Sequence, residues 1–192
     1  MCIRDRYKEN GFKKKEDAER LIAELTAEPA GPVTVTGIEK KKENKNAPLL
    51  YNLAELQNDC SKYFKISPDE TLRIVQELYE KKMTTYPRTD ARVLSTAVAK
   101  EIHKNIGGLR SYALATPFAK EVLEQGTYKN IAKTRYVNDK QITDHYAIIP
   151  TGQGLNNLAG LAPTAAKVYE VIVRRFLSIF YPPAVYQKFS LT

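Results

Sequence analysis

Along most of the 192-residue chain, apolar residues return every three or four positions, and strict alternation is confined to short stretches. That balance predicts a mainly α protein with small β pieces. In "KKKEDAERLIAEL", Ala18, Leu21, Ile22 and Leu25 share one helical face, so residues 15–27 read as an amphipathic helix ended by Pro29, Gly31 and Pro32. "VTVTGIEKKKE" alternates and is β-branched, and reads as a strand of about eight residues. "KKKENKNAP" then reads as a charged connection and a domain boundary. Beyond it, Leu53, Leu56, Cys60 and Phe64 form an apolar stripe behind Asn52 as N-cap. "SPDE" is a strong helix start: Ser67 caps, Pro68 fits the first helical position and Glu70 completes a capping box. The helix over about 68–82 then carries Leu72, Val75 and Tyr79 as its buried stripe, with Gln76 and Glu80 one turn apart along its edge.

Ser95 opens a further helix that Gly107 and Gly108 stop, and "TPFAKEVLEQG" is a short helix with Thr116 as cap and Gly126 as stop. "TDHYAIIPT" reads as an extended segment ending at Pro150, followed by a loop with three glycines. The last helix, about 163–180, turns Val168, Ile172, Phe176 and Phe180 inward and Lys167, Arg174 and Arg175 outward. "YPP" ends it, and "AVYQKFSLT" reads as a strand cut short. Strand-like pieces near both ends suggest that their partners are missing. The opening "MCIRDR", residues 1–6, fits neither period, is read as an artificial or truncated start, and is left out of the fold reading.

Composition narrows the function. Thirty basic residues against 22 acidic ones give a net charge of +8, which favours a polyanionic partner. Cys2 and Cys60 make neither a metal spacing nor a disulfide framework, which points to a reducing compartment. No apolar run approaches the roughly 18 residues of a membrane span.

The candidate chemistry lies in "KKMTTYPRTD". Proline holds Tyr86 extended. In an extended chain Tyr86, Arg88 and Asp90 then share one side, and Thr85, Pro87 and Thr89 the other. A phenol beside a guanidinium suits attack on a phosphodiester, because arginine grips phosphate oxygens and favours the phenolate. The triplet alone reads more readily as an aromatic anchor beside a surface arginine. Gln76 and Glu80 also fit a solvated helix edge, His145 a buried and satisfied histidine, and Asp90 a turn or cap. Arg174 and Arg175 fit a solvated helix face, with DNA contact as the other reading, and Asp59, Asp69 and Asp139 fit the surface.

The longer stretch "QELYEKKMTTYPRTDARVLS" resembles the active-site signature of type IA DNA topoisomerases, in which Gln-x-Leu-Tyr-Glu runs into Thr-Tyr-x-Arg-Thr-Asp. "TDHYAIIPT" resembles the family's second signature, and its ending together with Tyr-Pro-Arg is similar to the topoisomerase III subgroup. "PLLYNLAELQ" and "APTAAKVYEVIVRRFLSIFYPPAVY" also resemble family segments, in family order, so the resemblance covers most of residues 12–192. It implies that Tyr86 attacks a single-stranded DNA phosphate to form a 5′-phosphotyrosyl link, that another strand passes through the gap, and that the break is resealed without ATP. The chain has no G-x-x-x-x-G-K-[ST] loop, in agreement. Arg88 matches the arginine that positions tyrosine and phosphate, and His145 the histidine at the scissile region. Gln76, Glu80, Thr85, Thr89 and Asp90 match positions that shape the site. Two positions depart from the pattern: Ala91 stands where the family often has serine, and Tyr146 where the subgroup often has a second histidine.

The resemblance also implies a fold: a helical tyrosine domain resembling catabolite-activator-type DNA-binding domains, with partial strands of the topoisomerase arch. The expected division is residues 1–46 as a partial arch segment, 47–155 as the tyrosine domain, and 156–192 as a helix and strand returning into the arch. Family members carry a preceding acidic Toprim domain whose Asp-x-Asp motif binds Mg²⁺. This chain has no Asp-x-Asp, so it reads as an internal fragment, inactive alone, with Mg²⁺ arriving through that domain. The expected partners are single-stranded DNA and the rest of the parent chain, and the expected location is the cytoplasm, at the nucleoid or on a plasmid or mobile element. A tyrosine recombinase fits less well, since its tyrosine follows a His-x-x-Arg box, and a relaxase needs more histidines than His103 and His145. A winged-helix-like module that only binds DNA is the non-enzyme alternative.

Overall fold

The computed structural model describes residues 14–27 and 34–192. The chain divides into two compact units, one of residues 1–43 with 187–192 and one of residues 44–186. "MCIRDR" and Val33 lie outside the described residues.

In the smaller unit, α1 (Lys15–Leu25) has no buried residue, and Ile22 and Leu25 of its apolar face are exposed. Two strands, β1 (Ile38–Lys45) and β2 (Ala184–Leu191), pair with each other. Reciprocal bonds between Gly37 and Thr192 (N–H to carbonyl, 3.0 and 3.1 Å) make the pair antiparallel. The terminal strand pieces, expected to lack partners, are thus each other's partner. β1 also begins later than the alternation implied and takes in Lys40–Lys45, expected as a connection. Every β1 side chain is exposed, so lysines and glutamates suit it, and a charged composition does not mark a loop there.

The larger unit is helical: α2 (Leu53–Phe64), α3 (Pro68–Glu80), α4 (Thr96–Gly108), α5 (Thr116–Gln125) and α6 (Pro163–Ser178). Local chemistry starts three of them as expected. Asn52, Ser67 and Ser95 side chains accept from the amides of Glu55, Glu70 and Val98 at 2.9, 3.1 and 3.2 Å. α5 differs. Thr116 is its first residue, and its hydroxyl donates back to the carbonyls of Arg110 and Tyr112 instead of capping.

Leu56 and Cys60 of α2, Ile74, Val75 and Leu78 of α3, and Val168, Ile172 and Phe176 of α6 build one core in which α6 packs on α3 and α2. α6 lies within the larger unit, which runs as far as Tyr186. Arg175 does not point outward. Its guanidinium donates to the Asp59 carboxylate (2.9 Å), the Tyr51 hydroxyl (3.0 Å) and the Leu49 carbonyl (2.9 Å), and lies 4.1 Å over the Tyr51 ring. Asp59, expected at the surface, is only 15% exposed, and Arg175 14%. Among the described residues, no helix is long and apolar enough to cross a membrane.

Candidate active site

α3 delivers the chain to the site through its C-terminus. The Lys82 amide donates to the Tyr79 carbonyl (2.8 Å) and the Met83 amide to the Leu78 carbonyl (2.9 Å), a Schellman closure with Lys82 left-handed at φ 61°. Buried Met83 then anchors the exit from the helix. From there the chain runs antiparallel to the "TDHYAIIPT" segment. The Thr151 amide donates to the Met83 carbonyl (3.0 Å) and the Thr85 amide to the Ile149 carbonyl (3.0 Å), and Thr84 bridges Pro150. The Thr85 hydroxyl donates to the Ala147 carbonyl and accepts the Ile149 amide, both at 3.0 Å. The Thr89 hydroxyl donates to the His145 carbonyl at 2.9 Å. On its other side the segment is held by Tyr51, whose carbonyl accepts the Ile148 amide at 2.8 Å, and by Val93, whose carbonyl accepts the Ala147 amide at 3.0 Å.

Two glycines close the loop after Pro150. A Cβ on Gly152 (φ 77°) would lie 2.6 Å from the Asn105 carbonyl oxygen, and one on Gly154 (φ 67°) 2.2 Å from that of Lys81. Only glycine permits both the left-handed backbone and this approach.

These ties bring His145 to Tyr86. The two rings lie 4.4 Å apart at 42°, and Tyr79 meets Tyr86 in a T-shaped contact at 5.4 Å and 83°. Tyr86 is half-buried and His145 exposed. The rings open on a pocket of about 500 Å³ that Tyr79, Glu80, Lys82, Thr84, Thr85, Tyr146, Thr151 and Gln153 also line. The Gln76 amide donates to Glu80 at 3.2 Å and so acts on the pocket through that carboxylate. Burial pushes the Tyr146 phenol up, so it stays a neutral hydroxyl at ordinary pH.

Of the residues singled out from sequence, Glu80, Thr85, Tyr86 and His145 meet at this pocket, with Gln76 behind Glu80 and Thr89 behind His145. Arg88 and Asp90 are exposed on the extended chain beyond Tyr86 and lie outside the pocket lining, while Pro87, Thr89 and Ala91, which alternate with them, are buried. The Asp90 carbonyl accepts the Asn52 amide at 3.1 Å. Ala91 donates its amide to the Thr89 hydroxyl at 3.1 Å. Arg174 is elsewhere, paired with Glu170 at 2.7 Å on an exposed face of α6. The expected α3 stripe is corrected: Thr71, Ile74, Val75 and Leu78 are buried, while Leu72 is half-buried and Tyr79 is 39% exposed. Tyr79 is thus a pocket residue that sequence reasoning placed in the core. Thr71 at the head of the true stripe is polar, which hid the better-spaced set.

Among the described residues, no three His, Cys, Asp or Glu side chains gather as metal ligands. The described residues thus offer no donor set that fits a magnesium site.

A family model described as DNA topoisomerase matches residues 3–192. The chain is similar to DNA topoisomerase 3 of Bacillus cereus, 36% identical over 180 residues, covering 92% of this chain and 23% of that protein. It is similarly 36% identical over 170 residues to DNA topoisomerase 3 of Bacillus subtilis, covering 88% of this chain and 22% of the relative. Its fold is similar to that of full-length topoisomerase I from Thermotoga maritima, with a TM-score of 0.58 and 20% identity over 97% of this chain and 28% of the other. The chain spans about a quarter of the length of the curated relatives it matches.

Proposed function

Because the chain belongs to the DNA topoisomerase family, in its type IA, topoisomerase III-like branch, we propose that Tyr86 is the nucleophile that opens a single strand of DNA. The observation that carries this is the Tyr86 phenol, packed on the His145 ring at 4.4 Å and facing a pocket that Glu80 shares.

The phenolic oxygen attacks phosphorus, the bond from phosphorus to the 3′-oxygen breaks, and the DNA 5′-phosphate stays on Tyr86. The phenolic proton leaves to solvent or a nearby base, and the departing 3′-alkoxide takes up a proton. Return attack by the 3′-hydroxyl restores the strand and frees the tyrosine. The phosphodiester's reactivity is stored in the covalent link, so no nucleotide is spent. Arg88, exposed two residues beyond Tyr86, meets the phosphate oxygens and offsets their growing charge. His145 holds the phenol on one side and contacts the strand on the other.

The leaving 3′-oxygen would take its proton from residues of a longer parent protein, which would also hold Mg²⁺ to offset charge there. On this reading the chain alone does not relax DNA, and its setting is the cytoplasmic DNA of the nucleoid or a plasmid. A module that merely binds DNA leaves the Tyr86–His145 pairing without a role.

The test is relaxation of a supercoiled plasmid with Mg²⁺. The isolated chain should be inert. Bacillus subtilis DNA topoisomerase 3 carrying this chain in place of its matching segment should be active. Robust relaxation by the chain alone would overturn the division of labour.

A further inference from the structure

Tyr79 has a second role open to it. It is 39% exposed, abuts Tyr86 and stands at the mouth of the pocket, yet it is no part of the attack on phosphorus. Beside it, Lys82 is exposed and starts from a fixed backbone, since the Schellman closure holds its amide and the Thr151 hydroxyl donates to its carbonyl. Lys82 makes no ion pair among the described residues, whereas its neighbour Lys81 is paired with Glu77. A third feature is independent of these. Thr84 lines the pocket at 1% exposure, and its hydroxyl has no hydrogen-bond partner among the described residues. A buried hydroxyl left without a partner is costly, and a polar ligand edge reached by a small side-chain shift would relieve that cost. Gln153 adds an amide on the same wall, held by the flanking glycines and by its own N–H donating to the Thr151 hydroxyl at 3.1 Å.

We propose that Tyr79, Lys82, Thr84 and Gln153 form a nucleobase subsite that receives the base of the nucleotide next to the phosphate attacked by Tyr86. The subsite rests on the nucleophile reading for its position along the strand. Tyr79 supplies a π-face or edge for the base, which every base can use whatever its sequence. Lys82 meets the adjoining phosphate. Thr84 and Gln153 offer hydrogen bonds to the base edge. A volume of about 500 Å³ lies in the range of small-ligand sites, which run from about 300 to 1,000 Å³. Seating a base here fixes the backbone next to it, so the subsite sets which phosphate reaches the phenol.

The experiment compares binding of a short labelled oligothymidylate with binding of an abasic sugar–phosphate of equal length. Wild-type chain, Tyr79→Leu and Tyr79→Phe are titrated at one fixed salt concentration. Tyr79→Leu should weaken binding of the base-bearing strand about tenfold and leave abasic binding unchanged, because stacking on an aromatic is lost. Tyr79→Phe should stay within about twofold of wild type. Thr84→Val should weaken only the base-bearing strand. Equal affinity of wild type and Tyr79→Leu for oligothymidylate would overturn the subsite and leave the nucleophile reading standing. Failure of the wild-type chain to bind either strand would overturn the subsite and count against the nucleophile reading as well.

Discussion

The Thr89 hydroxyl donates to the His145 carbonyl at 2.9 Å, so the loop carrying Tyr86 is tied to the backbone of the residue its ring packs against. The same oxygen accepts the Ala91 amide at 3.1 Å. One buried hydroxyl thereby fixes two segments 56 residues apart.

Thr89→Val keeps the shape and removes both bonds, leaving the part-buried His145 carbonyl and the buried Ala91 amide unpaired. It should cost about 1–3 kcal/mol. It should also move the His145 ring resonances as the stack on Tyr86 loosens. Urea melts and proton spectra of the imidazole check this, and unchanged His145 shifts would show that the tie does not position the ring.

The Asp59–Arg175 pair is the deepest charge contact described, at 2.9 Å with both side chains about 85% covered. Asp59→Ala leaves the buried guanidinium without its counter-charge, with only the Leu49 carbonyl and the Tyr51 hydroxyl as acceptors, and should cost about 3–5 kcal/mol. Replacing both, as Asp59→Leu with Arg175→Met, should cost far less than the sum of the single changes. A double-mutant cycle by chemical denaturation reads the difference. Additive costs would mean that the pair is not coupled.

That pair also shows where the sequence was opaque. A charged residue on an amphipathic helix reads as solvated unless its partner is known, and Asp59 lies 116 positions from Arg175. Helix starts were legible because a cap acts within three residues, as Asn52, Ser67 and Ser95 do. The helical class and the Tyr86 motif were legible for the same local reason. The pairing of residues 83–89 with 145–151 was not, since nothing within either stretch specifies a partner some 60 residues away. Tyr79 was misplaced because a tyrosine in an apolar stripe serves a core or a pocket mouth equally well.

Gly154→Ala sets a methyl against the Lys81 carbonyl in a left-handed backbone and should cost at least about 2 kcal/mol. Gly107→Ala is the contrast, since its added carbon meets nothing within 4 Å and the residue is helical. It should stabilise the chain by about 0.5–1 kcal/mol. Thermal melts of the two variants should therefore shift in opposite directions.

Burial pushes the Cys60 thiol up from its ordinary 9.0 to about 11, against the weaker lowering effect of its hydrogen bond with Thr71. The folded chain keeps this proton where the unfolded chain has lost it. Its stabilising contribution is complete below about pH 9 and falls as pH rises through 11. Burial raises Tyr112, Tyr136 and Tyr146 as well, adding to the same alkaline loss. At pH 8 a disulfide reagent should label Cys60 at least about a hundredfold more slowly in the folded chain than in urea. Equal rates would contradict the burial.

The most direct test of the account is the identity of the attacking atom. Bacillus subtilis DNA topoisomerase 3 carrying this chain in place of its matching segment is incubated with end-labelled single-stranded DNA and Mg²⁺, then quenched with detergent. The DNA-linked peptide is mapped after proteolysis. The account predicts a phosphotyrosyl adduct on Tyr86, none after Tyr86→Phe, and adduct formation slowed by orders of magnitude after Arg88→Ala. An undiminished adduct after Tyr86→Phe, or one mapped to another residue, would contradict it.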